Sequence, residues 1–406
     1  MDDLLLLVHR IPYPPNKGDK IRSFHLLRFL AQRYRVHLGA FVDDAQDWAH
    51  QQRLQDCCTD ICLIGLDPRR AKLRSLTGLL SAEALSVAYY RNAAMAAWVK
   101  SKLAAGIRRV VVFSSVMAQY VEHEADDVCC IVDFCDVDSD KWRQYAAAKS
   151  WPLSWLYRRE SERLLAFDRR IASVSRAALF VSEGEAALFR RLAPESAEHT
   201  DCWHNGVDTA FFDPALSFDN PFSADAASLT FTGAMDYWAN VDAVVWFARE
   251  VLPRVREVIP SAQFWIVGGR PTADVRALAA LPGVHVTGGV PDVRPYVAHA
   301  QAVVAPLRIA RGVQNKVLEA MAMAKPVLAT RAAMDGIEPN PAFDALVADS
   351  VDDLAARTVA LLHEGDVGGL GTLGRHWVEA HYNWERNLAS LARWLQPGQE
   401  SWNEEQ

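Results

Sequence analysis

No stretch of 18 apolar residues occurs in this 406-residue chain, so no segment has the length that a membrane-crossing helix needs. The longest apolar run near the start is only LLLLV, Leu4–Val8. The opening MDDLLLLVHR carries acids where a secretory signal places cations, and export is not expected. Cysteine is scarce and odd in number, at seven, with no Cys-x-x-Cys pair in the clusters Cys57, Cys58, Cys62 and Cys129, Cys130, Cys135. This argues against a disulfide framework and for buried free thiols in a reducing, cytoplasmic setting. His-Glu-x-x-His, a Walker loop and Gly-x-Ser-x-Gly are all missing. Two near-matches fail on context. GLGTLG (Gly369–Gly374) has the dinucleotide spacing but no strand before it. DVDSDK opens like a calcium loop, yet Lys141 and Ala147 stand at its sixth and twelfth places, where glycine and glutamate belong. The same letters contain Asp-x-Asp, which alone is a very weak metal signal. Neither a metal nor a cofactor is expected.

What the chain does have is apolar content. Half of its residues are hydrophobic, enough for large cores, and the length suits two or three domains. The net charge of −7 is unevenly shared. Residues 1–205 hold 28 Lys and Arg against 26 Asp and Glu, a net of +2; residues 206–406 hold 15 against 24, a net of −9. Such asymmetry points to two modules with different partners. Nucleic acid is not among them, because neither half is strongly basic.

Short apolar runs alternate with helical patterns. LLLLVHRIPYP reads as a buried strand, SFHLLRFLAQRY as a helix and RVHLGAFV as a second strand, followed by strands in DICLIGL, RRVVVFSS, CCIVDFCD and ALFVSE. Continuous apolar strands fit a parallel sheet covered on both faces. The alternation then restarts with SLTFTGAM, AQFWIVGG, VHVTGG, QAVVAPL and KPVLAT. The fold class is therefore α/β: two Rossmann-like doubly wound domains facing across a cleft. We place the domains at 1–205 and 206–380, with the turn-rich stretch Asn205–Asp225 as the linker. HYNWERNLASLARWLQ predicts an amphipathic helix crossing back within 381–406, and the tail PGQESWNEEQ is expected to be disordered.

The stretch PLRIARGVQNKVLEAMAMAKPVLAT, Pro306–Thr330, gathers cations before a small-residue helix with one acid. Amides of a first helical turn and the helix dipole favour an anion. Gly312 permits close approach, Arg308 and Arg311 offer planar donor forks, and Lys316 offers a point charge. Glu319 lies three residues after Lys316, on the same side of the helix, and an ionised carboxylate suits vicinal hydroxyls. In the first half, Asn16, Lys17 and Gly18 of PNKGDK follow the first strand, either as a plain turn or as a contact to phosphate or acceptor. Two further stretches, Pro68–Lys102 and Trp151–Arg176, mix cations with Trp, Tyr and Leu. This composition suits an interfacial helix on anionic lipid, or the solvated faces of ordinary helices.

In order, HNGVD (His204–Asp208), FTGAMDYWANVDAVVWF, WIVGGRP, VTGGVPDVRPYVAHAQAVVAPLR and GVQNKVLEAMAMAKPVLAT run through the second half. This set resembles the GT-B glycosyltransferases of family 4, over essentially the whole chain. HRIPYPPNKGDKIRSFHLLRFLA and DFCDVDSDKW are similar to the sugar transferases that accompany exopolysaccharide and exosortase loci in bacteria. The resemblance implies a nucleotide-diphosphate sugar, of UDP or GDP type, bound mostly by the C-terminal domain, an acceptor bound by the N-terminal domain, and retention of anomeric configuration. It makes Glu319 the ribose-binding second acid of an E-x7-E motif. The first acid is missing, and Arg311 stands eight residues earlier. The cations usual after the glycine that opens the second domain are also missing, since AMDYWAN follows Gly233. Diphosphate binding is thus expected from Gly18, Gly233 and the loop of Arg311, Gly312, Val313, Gln314 and Asn315, with Gly289 and Val290 of GGVPDV placing backbone against the base. Where many relatives carry a catalytic His, Asp133 and Asp136 stand here, with Asp138 and Asp140 beyond. A carboxylate there steadies oxocarbenium charge or orients a hydroxyl, while Asp and Ser also simply start helices. The catalytic set expected is Asp136, Asp138, Arg308 and Lys316.

The expectation is a cytoplasmic, metal-independent hexosyltransferase serving bacterial surface or exopolysaccharide synthesis. Its acceptor is a glycan, lipid-linked if the N-terminal domain makes peripheral contact with the inner face of the membrane. The rivals are a nucleotide-sugar epimerase of the same fold and a catalytically degenerate sugar-nucleotide binder acting as an assembly partner.

Overall fold

A computed structural model describes residues 1–123, 128–310, 312–366 and 368–396. The expected disordered tail, 397–406, and Arg311 lie outside the described residues. The chain divides into two compact units, Met1–His204 with Glu385–Gln406, and Asn205–Trp384. The first unit is therefore discontinuous in sequence and reclaims the C-terminal segment.

The first unit is built on seven strands: β1 (Asp3–Val8), β2 (Arg35–Val42), β3 (Asp60–Gly65), β4 (Arg109–Phe113), β5 (Cys129–Cys135), β6 (Ala177–Phe180) and β7 (Thr200–Cys202). All pair in parallel, in the order β3-β2-β1-β4-β5-β6-β7. Leu4–Val8 are fully buried because helices cover both faces, the environment that the unbroken apolar run anticipates. Strand β7 escapes pattern reading, since TDC is only three residues long and two of them are polar. Sheet order reverses between β1 and β4, so the loops after these two strands bound the crevice where open parallel sheets bind ligands.

The second unit has five parallel strands, β8 (Ala227–Thr232), β9 (Ala262–Val267), β10 (Val284–Gly288), β11 (Ala302–Ala305) and β12 (Val327–Ala329), ordered β10-β9-β8-β11-β12. Its reversal falls between β8 and β11. Gly233 follows the first of these and the loop 306–314 follows the second. The helix after β8 is not continuous. It runs Trp238–Trp246, widens to a π turn over Phe247–Val251 and resumes at Leu252–Val258. Pro253, without an N–H to donate, accounts for the break.

The GLGTLG glycines serve packing. A Cβ on Gly371 would overlap the carbonyl of Ala324, and one on Gly374 would lie 3.2 Å from Cγ of Met321. They let the helix Leu370–His381 press against the helix Asn315–Ala322, which carries Lys316 and Glu319. The crossing helix expected over His381–Gln396 is two short pieces instead, Trp384–Ala389 and Ala392–Leu395. Tyr382 ends the preceding helix and delays the start of these pieces: the residue is buried, its carbonyl accepts from the Val207 amide at 2.9 Å and its hydroxyl from the Glu338 amide at 2.6 Å. The gap between the two pieces falls at Ser390 and Leu391. The last piece joins the first unit, where Arg109 Nε donates to the Leu395 carbonyl at 3.2 Å.

Candidate functional site

Three glycine turns close the ends of β8, β9 and β10. Gly233 donates its amide to Val267 at 3.1 Å, and Gly268 donates to Gly288 at 3.1 Å. A Cβ on Gly268 would overlap the Gly233 carbonyl oxygen, and one on Gly289 would lie 3.7 Å from Cα of Gly269. Only backbone fits where Gly268 meets Gly233, whereas a Cβ on Gly289 would make ordinary contact. Val290 follows in the loop beyond.

On the other side of the switch point, Gly312 takes the left-handed conformation at φ 62, backed so closely by Gly336 that a Cβ there would overlap its carbonyl. Val313 packs against the core, and Gln314 is the extended N-cap residue of the helix Asn315–Ala322, its amide reaching the Gly312 carbonyl at 3.3 Å. Asn315 accepts from Asn205 Nδ2 at 3.2 Å. The next residue reaches across the crevice. Lys316 Nζ donates to Asn240 Oδ1 at 3.0 Å, and Asn240 Nδ2 donates to the Ala234 carbonyl at 2.9 Å. The ammonium stands 5.1 Å from the ring centre of Phe231, an attractive but dehydrating neighbour. Lys316 and Glu319 keep some surface yet are hemmed in by protein. Loss of water pushes the Lys316 ammonium down to about 8, against the attraction of Glu319. The same loss pushes the Glu319 carboxyl up to about 7, against the attraction of Lys316. A dehydrated cation and a dehydrated acid on one helix face are poised to gain from a polar ligand that supplies an anion to one and hydroxyls to the other.

Arg308 is placed differently. Its Nε donates to Asp242 Oδ2 at 3.0 Å, a second nitrogen bonds Oδ1, and half of its side chain is exposed. Asp242 lies two residues past Asn240, hence on the opposite side of their helix, so Arg308 and Lys316 are committed to different faces.

In the first unit, Gly18 opens the helix Gly18–Ala31 after β1, with Lys17 as its extended N-cap. The carboxylates after β5 separate into two roles. Asp133 is buried and holds Arg22 bidentately, accepting from Nε on Oδ2 at 2.8 Å and from Nη2 on Oδ1 at 3.0 Å, while the guanidinium stacks 3.4 Å over Trp203. Burial pushes the Asp133 carboxyl upward and the Arg22 charge pulls it back. This pair is a strut. A register shift between Asp133 and Cys135, with Cys135 at φ 67, then turns the chain outward. Asp136 and Asp138 both meet Lys141 Nζ, at 2.7 and 3.0 Å. Asp136 Oδ1 is buried without a hydrogen-bond partner, and Asp138 is half exposed at the start of the helix Asp138–Ala147. The structure thus brings together two of the carboxylates singled out in sequence. It also places a lysine ammonium between them, where Asp-x-Asp would hold a cation. Among the described residues no group of three or more His, Cys, Asp or Glu is arranged to hold a metal.

Sequence reasoning missed Asn240, the anchor of Lys316. Its only signal is an amide in the largely apolar WANVDAVVW, where Asp242 is the one other polar residue. It also missed Arg22, whose partner lies 111 residues away.

Residues 226–364 match the family model described as Glycosyl transferases group 1. The matched segment includes Gly233, Asn240, Lys316 and Glu319. No curated protein matches the chain. Among solved structures, HepE from Anabaena in complex with UDP and glucose is similar at TM-score 0.64 and 13% identity, over 97% of this chain and 98% of that one. WaaG, a glycosyltransferase involved in lipopolysaccharide biosynthesis, gives 0.66 and 17%, over 97% and 100%. TarM from S. aureus, in complex with fondaparinux, alpha-GlcNAc-glycerol and UDP, gives 0.65 and 11%, over 98% and 100%. The fold is GT-B. At these identities the likeness establishes that architecture and no more.

Proposed function

We propose that this GT-B chain is a retaining, metal-independent hexosyltransferase that takes a sugar from a nucleotide-diphosphate donor, of UDP or GDP type. The observation that carries the reading is the dehydrated Lys316–Glu319 pair, with Lys316 tethered through Asn240 beside the Gly233 turn, inside the segment that matches the group 1 model. In this reading the diphosphate takes the place opposite Lys316, close to the Gly312 turn. Its charge stabilises the ammonium that burial disfavours, and charge developing on the leaving group strengthens that contact as the bond breaks. Glu319 accepts from the ribose hydroxyls. The glycine turns after β8, β9 and β10 leave room for the base against backbone. Arg308 would have to release Asp242 to take part, so the charge is assigned first to Lys316. Asp136, with one carboxylate oxygen unpartnered, orients the acceptor or steadies oxocarbenium charge, helped by Asp138.

UDP is a bound ligand of both HepE and TarM in the complexes named above, which favours UDP over GDP as the first donor to test. The acceptor proposed is a glycan of bacterial surface or exopolysaccharide synthesis, lipid-linked and met at the inner face of the cytoplasmic membrane. Among the described residues no helix is long and apolar enough to cross a membrane, so contact of this kind would be peripheral. The test is a thermal-shift panel of UDP, GDP, ADP and TDP, followed by donor plus membrane lipid extract. A melting-temperature rise with one nucleotide and sugar transfer to lipid support the reading. No rise with any of them overturns the donor site, and binding without transfer leaves a sugar-nucleotide binder.

A further inference from the structure

We infer that the first unit carries a docking surface for an anionic phospholipid bilayer, formed by the segment 68–80 and the start of the helix Leu153–Val174. The inference deepens the peripheral contact proposed above. It rests on that reading for its purpose, but the geometry stands alone.

Charge is the first observation. Residues 68–82 hold four Lys or Arg and no Asp or Glu, and residues 141–159 hold five and again no acid, in a chain whose net charge is −7. The second is exposed apolar surface in the same two places. Leu73 is 70% exposed on the helix Pro68–Ser75, followed by exposed Leu76. Trp151 is 81% exposed, and Leu153 and Trp155 are also open. Large apolar side chains in such number need an apolar partner, and tryptophan with arginine and lysine is the composition of a bilayer interface.

Third, the two segments are neighbours. Arg159 donates to the Glu83 carbonyl at 3.2 Å and to Ser81 at 2.6 Å, in the turn that follows Leu76 and Leu79. Trp155 lies four residues before Arg159 and therefore one turn along the same helix face. Glu160 fixes the same junction by accepting from the amides of Leu85 and Ser86 at 2.7 and 2.8 Å. The two sets of exposed apolar side chains thus flank one junction, with Arg69, Arg70, Lys72 and Arg158 exposed beside them. Anionic headgroups meet the cations while the tryptophans and leucines enter the headgroup–acyl boundary.

The test is co-sedimentation of the full chain with phosphatidylglycerol–phosphatidylcholine vesicles and with pure phosphatidylcholine vesicles, at low and high salt. Binding is expected to the anionic vesicles only and to fall with salt. Arg69→Glu/Arg70→Glu is expected to weaken it roughly tenfold or more, and Trp151→Ser/Trp155→Ser to abolish retention at high salt. Melting temperature and UDP thermal shift of each variant, both expected to stay at wild-type values, show that fold and donor site are intact. Absence of vesicle binding in the wild-type chain, or binding unchanged in both variants, overturns the surface. If UDP still binds, the donor reading survives that result. Vesicle binding without any nucleotide binding would sink the donor reading alone.

Discussion

The Lys316 ammonium donates to Asn240 across the reversal point of the second sheet, 3.0 Å from one side chain to the other. Asn240 spends its own amide on the carbonyl next to Gly233, so one hydrogen-bonded chain ties the site helix to the glycine turn. Removing the cation removes both the charge and the tether. Lys316→Ala is expected to weaken UDP binding by one to two orders of magnitude, the size of a charge-assisted contact, ~1.5–3 kcal/mol. Arg308→Ala, which removes the half-exposed contacts with Asp242 and the Trp246 ring, is expected to change it less than about threefold. Titration calorimetry decides the order, and equal losses would return Arg308 to the phosphate site.

The same pair makes a prediction about pH. Glu319 is pushed up to about 7 from an ordinary 4.5, so the folded chain holds the extra proton between those values and loses stability as pH rises through them. Lys316 is pushed down to about 8 from 10.5, so the folded chain lacks a proton there and regains stability as pH rises from 8 upward. The ligand-free protein is penalised most near pH 7–8. Lys316→Met/Glu319→Gln is expected to raise its melting temperature by roughly 2–4 °C at pH 7.5 while abolishing the UDP-induced shift. A lowered melting temperature would show that the pair is a structural ion pair.

Backbone crowding at the strand ends is tested by Gly268→Ala. The added Cβ would overlap the Gly233 carbonyl, and such overpacking costs about 1–3 kcal/mol. A fall of roughly 5–10 °C in melting temperature is expected. Gly269→Ala, with its nearest atom at 4.0 Å, should be tolerated. Similar melting curves for the two would refute the close approach.

Asp133 and Asp136 stand three residues apart and should fail in different ways. Asp133→Asn breaks a buried pair with Arg22, at a cost of about 3–5 kcal/mol. Asp136→Asn leaves that strut in place and is expected to slow transfer on the order of a hundredfold with a near-wild-type melting curve. Both variants are read by calorimetry and by a transfer assay. Loss of stability in Asp136→Asn equal to that in Asp133→Asn would make Asp136 structural.

Much of the architecture was legible because parallel strands buried on both faces write themselves as unbroken apolar runs, as in LLLLV. The strand TDC could not be read this way, because a three-residue edge strand with two polar residues is held by its neighbour β6 and not by its own pattern. The break at Tyr382 was hidden for a similar reason. The helical periodicity of HYNWERNLASLARWLQ is real, but a buried tyrosine bonded to Val207 and Glu338 holds its first residues out of the helix. In the candidate site, Lys316 and Glu319 stood out as the charges in a small-residue helix. Asn240 and Arg22 did not, since their partners are 76 and 111 residues away and no local spacing reports such a distance.

The discontinuity of the first unit sets an order on synthesis. Residues 205–384 form a contiguous unit that can close as soon as they leave the ribosome, whereas the unit begun at Met1 waits for the residues that follow Trp384. Until then the carbonyl that Arg109 reaches at Leu395 does not exist, and neither does Trp394, whose carbonyl accepts from the Cys129 thiol at the start of β5. The half of the protein that is made first is the half that is finished last.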